Sequence, residues 1–181
     1  MRRYIALLRG INISGKNKIA MSELKKGCVD IGLAEVTTYL NSGNVIFSSA
    51  IDDKDILSNE IKLMIKDSFA LNIPVFIVMQ EELEELLNNA PDWWGDDNKE
   101  IYDNLIFMMP PLSYKEFYDE IGNTRDGYEK AHNYKNVIFW SFSRKDYQKT
   151  NWWSKTASSN ISNKITIRTA NTVRKITSIK L

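Results

Sequence analysis

Five apolar residues in succession, Tyr4 to Leu8, constrain this chain more than any other stretch. Both alternating sets are apolar, Tyr4, Ala6 and Leu8 against Ile5 and Leu7, which is the pattern of a strand buried on both faces. Such a strand belongs inside a sheet, and Arg9-Gly10 end it abruptly. Met21, Leu24, Cys28 and Ile31 then recur at helical spacing, with Ser22 as the expected cap and Gly32 as the left-handed stop. Val36–Leu40 and Val45–Phe47 are β-branched and aromatic runs around Asn41-Ser42-Gly43-Asn44, where Gly43 can supply the positive φ of a hairpin turn. Asp52 and Asp53 open a second helix whose stripe is Leu57, Ile61, Met64, Ile65 and Phe69, and Pro74 to Met79 reads as a further strand.

Strand, helix, strand, strand, helix, strand is the split βαβ order of ferredoxin-like domains. Right-handed crossovers leave little topological choice. The first two strands then point the same way, so the loop Arg9–Lys18 and the turn Asn41–Asn44 are expected to emerge at one edge, with the turn before Pro74 beside them. The two helices cover one face only. The second half of the chain, or a partner subunit, is the expected cover for the other.

Gln80 to Leu87 reads as an acidic linking helix, followed by an irregular stretch with Pro91, Trp93, Trp94 and Gly95. Asn104 to Met109 is a strand stopped by Pro110-Pro111. Ser113 and Glu116 form a capping-box pattern ahead of Phe117, Tyr118 and Ile121, with Gly122 as the stop. Tyr128–His132 and Asn136–Phe142 flank a short polar turn; a helix between Asp146 and Ser159, a strand at Ile165–Arg168 and a helix from Ala170 complete the set. The expected fold is α+β, two tandem ferredoxin-like (βαββαβ) subdomains with a C-terminal helix: residues 1–80 carrying the two polar loops, and residues 81–181 a linker helix and the second subdomain.

With 181 residues, 43% of them apolar, the chain can bury a substantial core. Twenty-four Lys and Arg against 23 Asp and Glu leave a formal charge of +1, which argues against nucleic acid or an anionic membrane as a partner. The single cysteine cannot make an internal disulfide, and the longest apolar runs, such as Leu105 to Met109, are too short to span a bilayer. These features are those of a cytoplasmic protein.

Gly10-Ile-Asn-Ile-Ser-Gly15-Lys16 has the GxxxxGK spacing of a phosphate-cradling loop and follows a strand. The next residue is Asn17 where Ser or Thr should hold magnesium, and no strand ends in the Asp of a metal site, so ATP hydrolysis is not expected. What survives is an anion site built from glycine-freed amides and the cations Arg9, Lys16 and Lys18. Arg9 and Asn12 can equally brace the loop against the Asn41–Asn44 turn, a role compatible with binding. Ser42 has no histidine beside it and lacks the GxSxG elbow, so it reads as a turn residue. His132 is alone, without the companions of a zinc set, and Cys28 sits on an apolar stripe. No metal or cofactor is expected. Asp96, Asp97 and Glu100 read as a solvated loop. The doublets Trp93-Trp94 and Trp152-Trp153 suggest packing between the halves.

ALLRGINISGKN at residues 6–17, TYLNSGNVIF at 38–47 and TIRTANTV at 166–173 together resemble the bacterial domain-of-unknown-function family 1697. Ser14 stands where the family usually has glycine, and Thr169 where it usually has asparagine. The resemblance implies a two-lobed structure of ferredoxin-like units, and shared-motif membership for Arg9, Gly10, Asn12, Gly15, Ser42, Gly43, Asn44, Arg168, Asn171 and Thr172. It lends no activity. The expected function is a binding module for a small anionic, phosphate- or nucleotide-like ligand at the Arg9–Lys18/Asn41–Asn44 edge. The alternatives are an enzyme acting on a phosphorylated small molecule and a protein-interaction or homo-oligomeric module.

Overall fold

A computed structural model describes residues 1–180, which form two compact units. Unit 1 comprises Met1–Glu85 together with residues 175–180, and unit 2 comprises Leu86–Arg174.

Unit 1 runs β1 (Arg2–Leu8), α1 (Met21–Asp30), β2 (Ala34–Tyr39), β3 (Asn44–Ser49), α2 (Lys54–Phe69) and β4 (Val75–Met79), and α3 (Gln80–Asn88) then leads into unit 2. The sheet order is β2-β3-β1-β4 with every neighbouring pair antiparallel, so β1 and β2 do run the same way. Tyr4, Ala6 and Leu8 join the core under α1 and α2, while Ile5 and Leu7 on the opposite face are also fully buried. Asp53 caps α2 by accepting hydrogen bonds from the amides of Asp55 and Ile56, and Gly32 at φ 91° follows α1. The expected cap at Ser22 is not formed. The helix starts at Met21, so Ser22 falls in its first turn, and Ala20 occupies the cap position without a side-chain bond. The β2–β3 ladder shifts register between Ala34 and Thr37; Glu35 adopts φ 51° there and accepts a 2.6 Å hydrogen bond from Ser48 Oγ.

Unit 2 runs β5 (Ile101–Met108), α4 (Tyr114–Ile121), β6 (Glu129–Tyr134), β7 (Val137–Ser143), α5 (Trp152–Ser158), β8 (Ile165–Thr169) and the start of α6 (Ala170–Ser178). Its order, β6-β7-β5-β8, repeats that of unit 1 position for position. The capping box of Ser113 and Glu116 is formed, and Phe117 and Ile121 are buried, whereas Tyr118 faces solvent. The helix expected somewhere between Asp146 and Ser159 is α5, and a 3₁₀ turn at Tyr147–Lys149 precedes it.

Trp94, Trp140 and Trp152 are buried and pack on residues of unit 2, whereas Trp153 is 44% exposed. Trp94 donates through Nε1 to the Asn104 carbonyl at 2.8 Å and meets Phe139 edge-on, while Trp152 packs against Phe117 and Trp140. Glu129, buried in β6, accepts from Trp140 Nε1 and from the amides of Arg125 and Asn151, at 3.0, 2.8 and 2.7 Å. Three donors around one carboxylate tie the β6–β7 hairpin to the segment ahead of α5.

Candidate functional site

The two polar loops of unit 1 meet at the rim where β1 and β2 end. The Leu8 amide donates to the Gly43 carbonyl at 2.8 Å, and the Arg9 amide donates to the Pro74 carbonyl at 3.0 Å, so all three turns share one edge. Asn12 is the clasp. Its Nδ2 donates to the carbonyls of Asn41 at 2.9 Å and Ile19 at 3.0 Å, while its Oδ1 accepts from the Ile19 amide at 2.9 Å. Asn17 closes the loop neck from Nδ2 to the Gly10 carbonyl at 2.8 Å. Asn44, fully buried, reaches back to the Tyr39 carbonyl and to Ser42 Oγ. The amides of Asn12, Asn17 and Asn44 are thus engaged in holding the rim's shape.

Backbone geometry explains the glycines. Ser14 at φ 48° and Gly15 at φ 75° form the centre of a turn closed by Lys16 N–H to the Ile13 carbonyl at 2.9 Å, and positive φ at both central residues marks a primed turn. Ser14 therefore takes the left-handed conformation that glycine adopts more readily. Gly43 is required twice over. It sits at φ 79°, and a Cβ there would lie 2.7 Å from Leu8 Cβ and 2.8 Å from Ile11 Cδ1. At Gly10 and Gly15, by contrast, a Cβ would meet nothing within 4 Å, so these positions face open space.

The rim's charge has one sign. No Asp or Glu occurs from Arg9 to Ser22, from Val36 to Ile51 or from Phe69 to Met79. Lys16 and Lys18 are exposed, and neither ammonium makes an ion pair or hydrogen bond among the described residues. Arg9 is half-buried, and desolvation lowers its pKa from the usual guanidinium range, raising the cost of its charge. Ser42, in the neighbouring turn, is exposed. The absence of carboxylates from three separate segments is a signal that composition alone conceals, since the whole chain is balanced.

Arg168, Asn171 and Thr172 lie in unit 2, on β8 and the first turn of α6. Arg168 is buried and donates to Thr166 Oγ1 and to the Ile167 carbonyl, both at 2.9 Å. Thr169 caps α6: its Oγ1 accepts from the Thr172 amide at 3.3 Å and lies 3.0 Å from Thr172 Oγ1. Asn171 lines a cleft in unit 2 with Asp96, Asp97 and Arg144. Those two aspartates, expected to lie in a featureless solvated loop, therefore border a concavity. His132 is exposed on β6, Cys28 is buried with its thiol pushed up to about 12 by desolvation, and no group of residues fit to hold a metal occurs among the described residues.

Comparison with known proteins agrees with this architecture. The family model described as "Protein of unknown function (DUF1697)" matches residues 1–139, which include the whole rim. The structure of the conserved bacterial protein SP0830 from Streptococcus pneumoniae is similar over 97% of this chain and 97% of its own, at 32% identity and a TM-score of 0.84. No curated protein matches the chain.

Proposed function

We propose a function from one premise: the chain belongs to DUF1697, a family of proteins of unknown function. The protein is a bacterial cytoplasmic binding module that holds a small anion, a phosphate or nucleotide group, at the rim of Arg9–Lys18 and Asn41–Asn44. The observation that carries this reading is the pairing of a locked loop with an acid-free surface. Lys16 and Lys18 project from a backbone whose shape Asn12 and Asn17 fix, so little ordering remains to oppose binding. Gly10 and Gly15 leave their surface open to an approaching ligand. The rim's own residues supply no acid–base pair, which favours binding over catalysis. The bacterial and cytoplasmic parts of the reading draw on the bacterial neighbour and the lone buried cysteine. No helix among the described residues is long and apolar enough to cross a membrane.

Thermal-shift titration with inorganic phosphate, pyrophosphate and nucleoside phosphates tests the proposal. At least one should raise Tm, less so as ionic strength increases. The double substitution Lys16→Ala/Lys18→Ala alters only exposed side chains and should remove most of the shift. An Arg9→Ala protein and the double variant that both fold and both keep the full response would sink the assignment, as would a panel with no response.

A further inference from the structure

The helical face of unit 1 carries exposed apolar side chains that neither the core nor the rim uses. Leu63, on α2, is 59% exposed, and Ile56, two turns earlier on the same stripe, is 47% exposed. Leu63 is a ridge between two concavities, since it lines both. One, of about 430 Å³, lies between α1 and α2; its apolar walls are Ile31, Leu63 and Met64, and its charged residues, Asp30, Glu60 and Asp67, are all acidic. The other, of about 680 Å³, lies between α2 and residues 72–74, and its charged residues, Lys62 and Lys66, are both basic. Asp30 pairs with Lys26 at 3.3 Å, whereas the side chains of Asp67, Lys62 and Lys66 make no ion pair or hydrogen bond among the described residues. Glu60 is half-buried, and its Oε2 is shut off from solvent with no hydrogen-bond partner among the described residues. Withdrawing a carboxylate oxygen from water without a donor is costly, and a cation brought into the groove offsets that cost.

A single exposed leucine needs no explanation, but one that divides an acidic groove from a basic one belongs to a self-complementary surface. We propose that this surface pairs two copies of the chain about a two-fold axis that runs along α2. Leu63 of each copy seats in the acidic groove of the other, on Ile31 and Met64, and carries Lys62 and Lys66 of its own helix to the carboxylates there. Rotation about such an axis exchanges the two sides of the ridge, so the acidic side of each copy meets the basic side of the other, twice over. An antiparallel pairing of the two helices would set acid against acid and lysine against lysine. Charge therefore selects the parallel one. Gly27, inside α1, leaves room for the groove's floor, since a Cβ there would lie 2.5 Å from Met64 Sδ. None of the pairing residues belongs to the two polar loops of the rim.

Sedimentation velocity of the full chain tests the pairing, and the unaltered protein should form a dimer with Kd below about 50 µM. Leu63→Arg changes an exposed side chain and should raise Kd by about tenfold or more. Lys62→Glu/Lys66→Glu and Glu60→Lys/Asp67→Lys should each abolish self-association. An equimolar mixture of the two should form a heterodimer, because one then offers mainly acid on both sides of the ridge and the other mainly base. Lys16→Ala/Lys18→Ala should leave Kd unchanged, which separates this surface from the rim. The inference is overturned if the unaltered chain stays monomeric up to about 200 µM, if Leu63→Arg keeps Kd within about twofold, if either charge variant self-associates as the unaltered chain does, or if the two do not pair when mixed. Where Glu60→Lys/Asp67→Lys does not fold, Leu63→Arg and Lys62→Glu/Lys66→Glu decide alone, and a dimer kept by either overturns it.

Discussion

Units 1 and 2 repeat one strand order, yet they finish their connections in opposite ways. The path from β1 to α1 winds through residues 9–20 with Gly10, Asn12, Ser14, Gly15 and Asn17 all at positive φ, whereas β5 reaches α4 through Met109 to Ser113 with no such residue among those described. The hairpins differ likewise: residues 40–43 separate β2 from β3, while only Lys135 and Asn136 separate β6 from β7. At the other edge the relation reverses. There unit 2 opens the cleft of about 340 Å³, and unit 1 closes over a smaller hollow of about 190 Å³ lined by Arg2, Gln80 and Glu84. Each unit elaborates one edge and leaves the other plain. The sheets and helices act as a frame, and the candidate chemistry lies in connections the frame tolerates.

That contrast yields graded expectations. The largest effect belongs to unit 2, where the hairpin depends on a single buried carboxylate. Glu129→Ala would strand three donors and should cost about 4 kcal/mol, seen as a lower denaturation midpoint with hydrogen exchange rising first in β6 and β7. In unit 1 the corresponding dependence is on backbone shape, so Gly43→Ala should cost about 3 kcal/mol through left-handed strain and the clash with Leu8. Lys135, at φ 51° in the plainer hairpin, already carries a side chain, and Lys135→Ala should be nearly silent.

Cys28 gives a pH test confined to unit 1. Its folded thiol is pushed from 9.0 to about 12 by burial, so the native state holds a proton that the unfolded state releases above pH 9. Stability should therefore fall as pH rises through that window, by about 2 kcal/mol near about pH 10.5, and Cys28→Ala should flatten the slope. A slope equal in the two proteins would remove the thiol from the account. Ser14→Gly has a small effect of the opposite sign: it should stabilise by about 0.5 to 1 kcal/mol because glycine adopts φ 48° more readily, while leaving anion affinity intact.

Much of this architecture was legible because local and long-range signals agreed. Tyr4–Leu8, Asp53, the Ser113–Glu116 box and Gly43 each announce their element, and the parallel direction of β1 and β2 follows from crossover geometry, bringing Asn12 to Asn41. Capping at Ser22 misled because a residue able to cap was also able to sit within the first turn. Asp103 falls within β5 but outside the expected strand Asn104–Met109, because a carboxylate beside an apolar run argues against burial and only Ser141, distant in sequence, makes burial tolerable. Glu129 was invisible for the same reason: its three donors arrive from three separate segments. The loop of Asp96 to Lys99 reads as solvent-facing polarity in sequence and becomes a wall only beside Arg144 and α6.

The irregularity at Glu35 has a consequence for the border of the sheet. β2 is an outer strand, and a left-handed residue between Ala34 and Thr37 interrupts the regular row of donors and acceptors that another chain would need to continue the sheet. Regular strand addition is thereby disfavoured at the start of β2, the end away from the rim.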